Sequence, residues 1–172
     1  MDLPVHNCSI AIIGGGPAGL CAAIAAAGRL QGTRAWIRRS GAADAGGTIA
    51  GNGASGGDLP AAEAQVLLLE KNSQPGRKLL LSGSGQCNLT HTGSTEELLG
   101  HYQGNSRFLR TAFHELSNAA LRSMLESAGV PTLEREDGKV FPVSRSAADV
   151  RNALVTLCKT AGARLITDFP VI

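Results

Sequence analysis

The sequence has few aromatic residues and no long hydrophobic segment. Aromatic side chains make up 3% of the 172 residues, and no apolar run approaches the ~20 residues that a membrane-spanning helix requires. The first residues, MDLPVHN, lack the basic start of a signal peptide. We therefore expect a soluble, cytoplasmic protein with many loops and no membrane partner.

An excess of one charge and a pattern of clustered cysteines are also missing. The formal net charge is +2, so no basic surface predicts a nucleic-acid partner. Cys8, Cys21, Cys87 and Cys158 are far apart, with no CxxC and no histidines at metal-binding spacing. We predict neither a metal site nor a disulfide framework, and we expect the cysteines to be reduced.

Glycine, in contrast, is abundant: 22 residues, or about 13% against a usual ~7%. Three of these glycines lie in SIAIIGGGPAGLCAAIAAAG, residues 9–28, where Gly14, Gly16 and Gly19 fit G-x-G-x-x-G. In this motif the first glycine permits a tight turn from strand to helix, the second lets the backbone approach a pyrophosphate, and the third allows close packing. The pattern predicts a dinucleotide site between a buried strand at 9–13 and a helix at 17–27 that ends at Gly28.

A second apolar run, VLLLE at 66–70, predicts another buried parallel strand that ends in an acid. Glu70 could accept hydrogen bonds from both hydroxyls of a ribose. It lies 56 residues after Gly14, whereas such an acid usually follows the motif by ~20 residues. A Gly/Ala-rich insertion at about 29–65, which we expect to be disordered, explains the gap. Its basic group around Trp36 could contact a phosphate or a partner, although a solvated insertion is the preferred interpretation.

The remaining patterns predict an α/β fold: a Rossmann-like domain with a parallel sheet and a small antiparallel hairpin. Residues 71–94 are loop-like at both ends, with the short apolar stretch Leu79–Leu81 between them. The apolar stripes at 106–128 predict helix, with Phe108, Leu109 and Phe113 among the core residues. Further on we expect a hairpin at 132–144 with its turn at Asp137-Gly138. A capping box of Ser146 and Asp149 predicts a helix that runs to about Ala161, and a third strand follows at 163–169.

Three segments resemble a known family: IIGGGPAGLCAAIAAAG, EKNSQPGRKLLLSGSGQCNLTH at 70–91, and EDGKVFPVSRSAADVRNAL. They are similar to the FAD-binding flavoproteins of the aminoacetone oxidase or BaiN/RdsA-like family of NAD(P)/FAD-dependent oxidoreductases. The most specific run extends from Pro75 to Asn88. In it, Ser84 replaces an expected glycine and Gln86 replaces a common basic residue. Members of that family are longer, so the resemblance implies that residues 1–172 form the N-terminal part of the FAD-binding domain.

The residues and the resemblance together predict a set of cofactor-binding positions. Arg77 and Lys78 could neutralise phosphate charge, and the small-residue loop that follows could lie against the isoalloxazine ring. Cys87 is expected to be a small buried residue and not a nucleophile. The full set is Gly14, Gly15, Gly16, Pro17, Ala18, Gly19, Glu70, Lys71, Arg77, Lys78, Ser82, Gly83, Gly85, Cys87 and Asn88.

The implied function is that of a flavoprotein oxidoreductase whose FAD accepts electrons from NAD(P)H or from an organic substrate. Two alternatives stay open: a nicotinamide-only dehydrogenase domain, and a fragment that binds a dinucleotide without catalysis. No side chain stands out as a catalytic acid or base, because His91, His101 and His114 have no visible relay partner. Phe141, Pro142 and Arg145 are expected to serve hairpin packing. The sequence does not predict the small-molecule substrate, the electron acceptor or the oligomeric state.

Overall fold

The computed structural model describes residues 7–30, 65–102, 104 and 106–171. In chain order the helices and strands are β1 (Ile10–Ile13), α1 (Pro17–Leu30), β2 (Val66–Leu69), α2 (Arg77–Leu81), a short 3-10 helix (Ser82–Gly85), β3 (Thr90–His91), α3 (Thr95–Gly100), α4 (Ser106–Glu115), α5 (Asn118–Ser127), β4 (Thr132–Glu134), β5 (Lys139–Pro142), α6 (Ala147–Thr160) and β6 (Ala163–Ile166). Most of the predicted insertion at 29–65, including Trp36, lies outside the described residues.

A parallel sheet with the strand order β1-β2-β6 forms the centre of the fold. In the central strand Val66, Leu67 and Leu68 are all buried, as expected for a parallel strand that is covered on both faces. The main core joins this strand to the apolar faces of α1 and α6, with Leu20 and Leu154 among the buried residues. The predicted α/β Rossmann-like fold is confirmed.

β1 is less buried than the sequence predicts. Ile10 is 36% exposed and Ile13 is 68% exposed, so the prediction of a strand buried on both faces is wrong here. β1 pairs only with β2, and within the described residues no strand lies along its other edge. A continuous apolar run identifies the strand but does not show whether both of its sides are covered.

The predicted hairpin is part of a second, antiparallel sheet with the order β3-β5-β4. Its turn contains Gly138 at a φ of 76°, a left-handed conformation that favours glycine. Across the sheet, Thr90 of β3 pairs with Val140 of β5. The sequence did not predict β3, because a strand of two residues is too short to show a period.

Three predicted helix features need correction. The first helix does not end at Gly28, which is buried within α1; its packing in the core outweighs the low helix propensity of glycine. The region 106–128 forms two helices, because Ser117 caps α5 by accepting a hydrogen bond from the Ala120 N–H at 3.1 Å. Phe108 is 83% exposed and α4 has no buried residue, so the predicted core role of α4 is wrong.

The serine half of the predicted capping box at the last long helix is confirmed. The Ser146 hydroxyl accepts a hydrogen bond from the Asp149 N–H at 3.3 Å, and α6 runs to Thr160. This helix is as long as α1 and packs beside it. None of the helices in the described part of the chain is long and apolar enough to cross a membrane.

Candidate functional site

The glycine-rich turn between β1 and α1 has the geometry that its motif predicts. Gly14 has a φ of 99°, where an L side chain is strained. A Cβ on Gly19 would lie 1.9 Å from the Gly14 carbonyl oxygen, whereas a Cβ on Gly16 would meet nothing within 4 Å. The first glycine therefore permits the turn, the third permits close packing, and the second leaves open space beside the start of the helix. Such an opening at a helix N-terminus suits a phosphate.

Gly15, between the motif glycines, has a separate steric requirement that the sequence did not indicate. It is buried, and a Cβ there would lie 2.9 Å from both Glu70 Oε2 and the Pro75 Cβ. The Gly15 carbonyl accepts a hydrogen bond from the Gly76 N–H at 2.8 Å. The turn after β2 is thus packed directly against the glycine-rich turn, with no room for a side chain between them.

Glu70 connects the two turns through its carboxylate. It follows β2, is 6% exposed, and its Oε2 accepts a hydrogen bond from the Gly15 N–H at 2.7 Å. Its Oε1 accepts one from the Asn72 N–H at 2.8 Å and another from the Asn72 side chain. Burial raises the pKa of this carboxyl, but the hydrogen bonds from Asn72 and Gly15 outweigh burial and hold the pKa below its ordinary value. The 55-residue separation is therefore bridged by a direct contact, and the acid is held ionised.

The hydrogen bonds also limit how Glu70 can meet a ligand. A carboxylate offers about four lone-pair positions, and three of those on Glu70 accept from protein donors. Capture of both ribose hydroxyls by Glu70, which stays a prediction, would need one protein donor to leave Oε1. With all three donors in place, the fourth position, which is on Oε2, can still accept a hydrogen bond from one ribose hydroxyl.

Asn72 is a residue of the site that the sequence analysis missed. Its Nδ2 donates to Glu70 Oε1, and its Oδ1 accepts from an Arg77 guanidinium nitrogen at 2.9 Å. Lys71, Arg77 and Lys78 are exposed, so the predicted cations face solvent. An asparagine two residues after a strand has no distinctive spacing, and only the fold brings it to Glu70.

The small-residue loop at 82–88 has an unusual backbone. Gly83 and Ser84 both have a φ of 55°, Gly85 one of 84° and Cys87 one of 61°. A Cβ on Gly83 would lie 2.8 Å from the Asn88 backbone nitrogen. The left-handed conformation at Ser84 gives the physical reason why a glycine is expected there. The loop is therefore shaped by its glycines, with Ser84 at a strained position.

Cys87 is completely buried, as predicted. Burial raises the pKa of its thiol, and a hydrogen bond with Ser82 offsets part of that effect. A buried thiol with a raised pKa has little thiolate at neutral pH and is a poor nucleophile. Its predicted place beside the cofactor stays a prediction, as do the predicted cofactor contacts of Pro17, Ala18, Ser82 and Asn88.

The histidines and the residues of the hairpin, for which the sequence predicts no catalytic role, have the following environments. One ring nitrogen of His91 lies 2.9 Å from the Thr92 carbonyl oxygen and the other lies 2.9 Å from that of Asp137, so this side chain ties β3 to the hairpin. His101 and His114 are exposed, Phe141 is buried, and the exposed Arg145 has a φ of 51°. In the ranges that the structure describes, no group of three or more His, Cys, Asp or Glu side chains could hold a metal ion.

Comparison with known proteins assigns the chain to a family. Residues 45–172 match the HI0933-like protein Rossmann domain, so the chain belongs to the HI0933-like Rossmann-domain family, and the predicted BaiN/RdsA-like resemblance is confirmed. This family assignment supports the fold independently of the strand order.

Two curated relatives carry different activities in their names. A 3-dehydro-bile acid delta(4,6)-reductase of Clostridium scindens is 31% identical to this chain over the aligned residues. The alignment covers 84% of this chain and 27% of that protein. A ribosomal RNA dihydrouridine synthase of Haemophilus influenzae is 28% identical over 69% of this chain, which covers 30% of that protein. The chain thus spans less than a third of the length of either relative.

A solved structure of Thermovibrio ammonificans THI4 aligns with 93% of this chain and 38% of its own chain. The sequence identity is 15% and the TM-score is 0.47.

Proposed function

We propose that this chain binds FAD and supplies the adenosine side of the flavin site in an FAD-dependent oxidoreductase. The observation that carries the proposal is the hydrogen bond between the Glu70 carboxylate and the Gly15 N–H at 2.7 Å. It unites the three parts of a dinucleotide site: a glycine-rich turn, a helix N-terminus and an acid at the end of the neighbouring parallel strand.

The open space at Gly16 fits such a cofactor. Nothing lies within 4 Å of the position of a Cβ on Gly16, and the adjacent first turn of α1 offers unpaired N–H groups and the positive end of the helix dipole. The pyrophosphate would lie there, with the adenosine ribose toward Glu70. When bound, FAD supplies the acceptor for a hydride or an electron pair, and this chain contributes position and electrostatics.

The choice of FAD rests on family membership and on the run from Pro75 to Asn88, whose glycines form the left-handed loop. A nicotinamide-only dehydrogenase has no need of that loop. Transfer of electrons from NAD(P)H or from an organic substrate remains part of the proposal. The two relatives act on different compounds according to their names, so neither name fixes a substrate for this chain.

The test is a titration of the purified 172-residue chain with FAD, followed by visible absorbance and by calorimetry. We expect one FAD per chain, and we expect Gly16→Val to weaken binding by more than about tenfold because a branched side chain would fill the space of the pyrophosphate. Gly100→Val is the matched control, since a Cβ at Gly100 also meets nothing within 4 Å and lies outside the site.

Equal FAD affinity in wild type and Gly16→Val would refute the assigned site. Binding of NAD without any binding of FAD would refute the flavin assignment and favour the nicotinamide-only alternative. Binding of FAD by a chain that shows no turnover with any reductant would support the adenosine-side role and refute independent catalysis.

A further inference from the structure

Four residues form a continuous chain of hydrogen bonds across the candidate site. Arg77 donates to Asn72 Oδ1 at 2.9 Å, Asn72 Nδ2 donates to Glu70 Oε1, and Glu70 Oε2 accepts from the Gly15 N–H at 2.7 Å. This series of hydrogen bonds runs from an exposed cation to the buried glycine-rich turn. Asn72 is the central link, and no sequence motif singles it out.

The chemistry at both ends fixes the orientation of the Asn72 amide. A guanidinium is only a donor and an ionised carboxylate is only an acceptor. The oxygen of the amide must therefore face Arg77 and its nitrogen must face Glu70, so the two amide atoms cannot be exchanged. Aspartate in the same place would keep the contact with Arg77 but would turn a second carboxylate oxygen toward Glu70. An aliphatic side chain would serve neither partner.

We infer that Asn72 is a positioning residue for the adenosine ribose: its side-chain amide, anchored by Arg77, holds the Glu70 carboxylate in place for the ligand. The inference rests on the proposed function, in which Glu70 faces the ribose. The backbone of this segment is held separately, because the Asp168 N–H donates to the Asn72 carbonyl at 3.1 Å and the Phe169 N–H donates to that of Glu70 at 3.0 Å. Loss of the Asn72 side chain should therefore disturb the carboxylate more than the fold.

The charges around Glu70 come from several elements. Lys71 adjoins it and lowers its pKa, Arg77 begins α2, Asp168 follows β6, and Arg151 of α6 reaches the same turn through Gln74 at 2.9 Å. The glycine-rich turn, Gly14 to Gly16, carries no titratable side chain. The donors nearest to the carboxylate are the amide groups of Asn72 and Gly15, so removal of one of them should change its ionisation directly.

The first experiment measures the ionisation of Glu70 without any ligand. Carbon-detected NMR titration of the side-chain carboxyl is compared in wild type, Asn72→Ala and Asn152→Ala. Asn152 is a matched control, because its Oδ1 accepts from Arg151 at 2.8 Å but its amide is not bonded to a carboxylate in the hydrogen bonds described. We expect the pKa of Glu70 to rise in Asn72→Ala and to stay unchanged in Asn152→Ala. An unchanged pKa in Asn72→Ala would overturn the inference.

The second experiment measures the FAD dissociation constant across pH. We expect Asn72→Ala to bind about tenfold more weakly at pH 7 and to lose affinity at a higher pH than wild type on acidification. Asn72→Asp, whose side chain has nearly the same shape, should also weaken FAD binding and shift the loss of affinity to higher pH. This variant replaces Asn72→Ala in the test if the alanine variant does not fold. Wild-type affinity and pH profile in a folded variant would overturn the inference. Absence of FAD binding by wild type would refute the proposed function, while the NMR comparison would still test the link between Asn72 and Glu70.

Discussion

Gly19→Ala should destabilise the fold even though alanine is the better helix former. In a helix interior the replacement of glycine by alanine gains about 1 kcal/mol. Here, however, the new Cβ would lie 1.9 Å from the Gly14 carbonyl oxygen, so the turn would have to shift by roughly 1.5 Å to restore an ordinary contact. Gly14 is also bonded to β2, since its N–H donates to the Leu69 carbonyl at 2.8 Å. Because the required shift is large, we take the upper end of the usual overpacking cost, about 3 kcal/mol. After the gain of about 1 kcal/mol from helix propensity, the net loss is about 2 kcal/mol.

The assay is urea unfolding followed by circular dichroism, with Gly100→Ala as the control. Gly100 is also helical, and a Cβ there meets nothing within 4 Å, so its replacement should be neutral or slightly stabilising. With a urea dependence of about 2 kcal/mol per molar, the midpoint of Gly19→Ala should fall by about 1 M relative to wild type. Equal midpoints for Gly19→Ala and wild type would refute the assignment of Gly19 to close packing between helix and turn.

Two further predictions concern stability. Glu70→Gln should destabilise the protein at pH 7 by about 1–3 kcal/mol, because the neutral amide offers one acceptor oxygen where Gly15 and Asn72 supply donors to both carboxylate oxygens. Because the pKa of Glu70 is lowered in the folded protein, its contribution to the free energy of unfolding is fully present above the unfolded pKa and is lost as the pH falls through the folded pKa. The urea midpoints of wild type and Glu70→Gln should therefore converge on acidification, and midpoints that stay apart would contradict this. Ser84→Gly should stabilise by about 0.5 kcal/mol, since relief of the left-handed strain at φ 55° exceeds the entropy that glycine adds to the unfolded chain; a lower thermal midpoint would show that Ser84 makes a compensating contact.

The parts of the fold that depend on local chemistry were predictable from the sequence. The turn at Gly14, the acid after β2 and the cap at Ser146 each follow from a short pattern with a direct physical meaning. Phe108 shows the limit of this approach. A helical period shows that α4 has an apolar face, but it does not show that another element covers that face, and Phe108 is 83% exposed.

The part of the site that the sequence did not predict depends on contacts between segments. Gly15 was included as a motif neighbour, yet the reason that it must be glycine is the approach of Glu70 and Pro75 from a turn far along the chain. Asn72 acquires its role only because Arg77 and Glu70 present a donor and an acceptor on its two sides. Such requirements arise from the assembled geometry and leave no periodic trace in the sequence.

The 55-residue separation between Gly15 and Glu70 has a consequence for how the gene can vary. In an unfolded chain the entropy cost of bringing two residues together grows only with the logarithm of their separation, so a separation of 55 residues costs about 0.9 kcal/mol more than one of 20. That difference is smaller than the usual contribution of one hydrogen bond to a charged group. Evolution can therefore lengthen or shorten the connection between α1 and β2 at little thermodynamic cost, and protein engineers can use the same position to insert a reporter or a second domain.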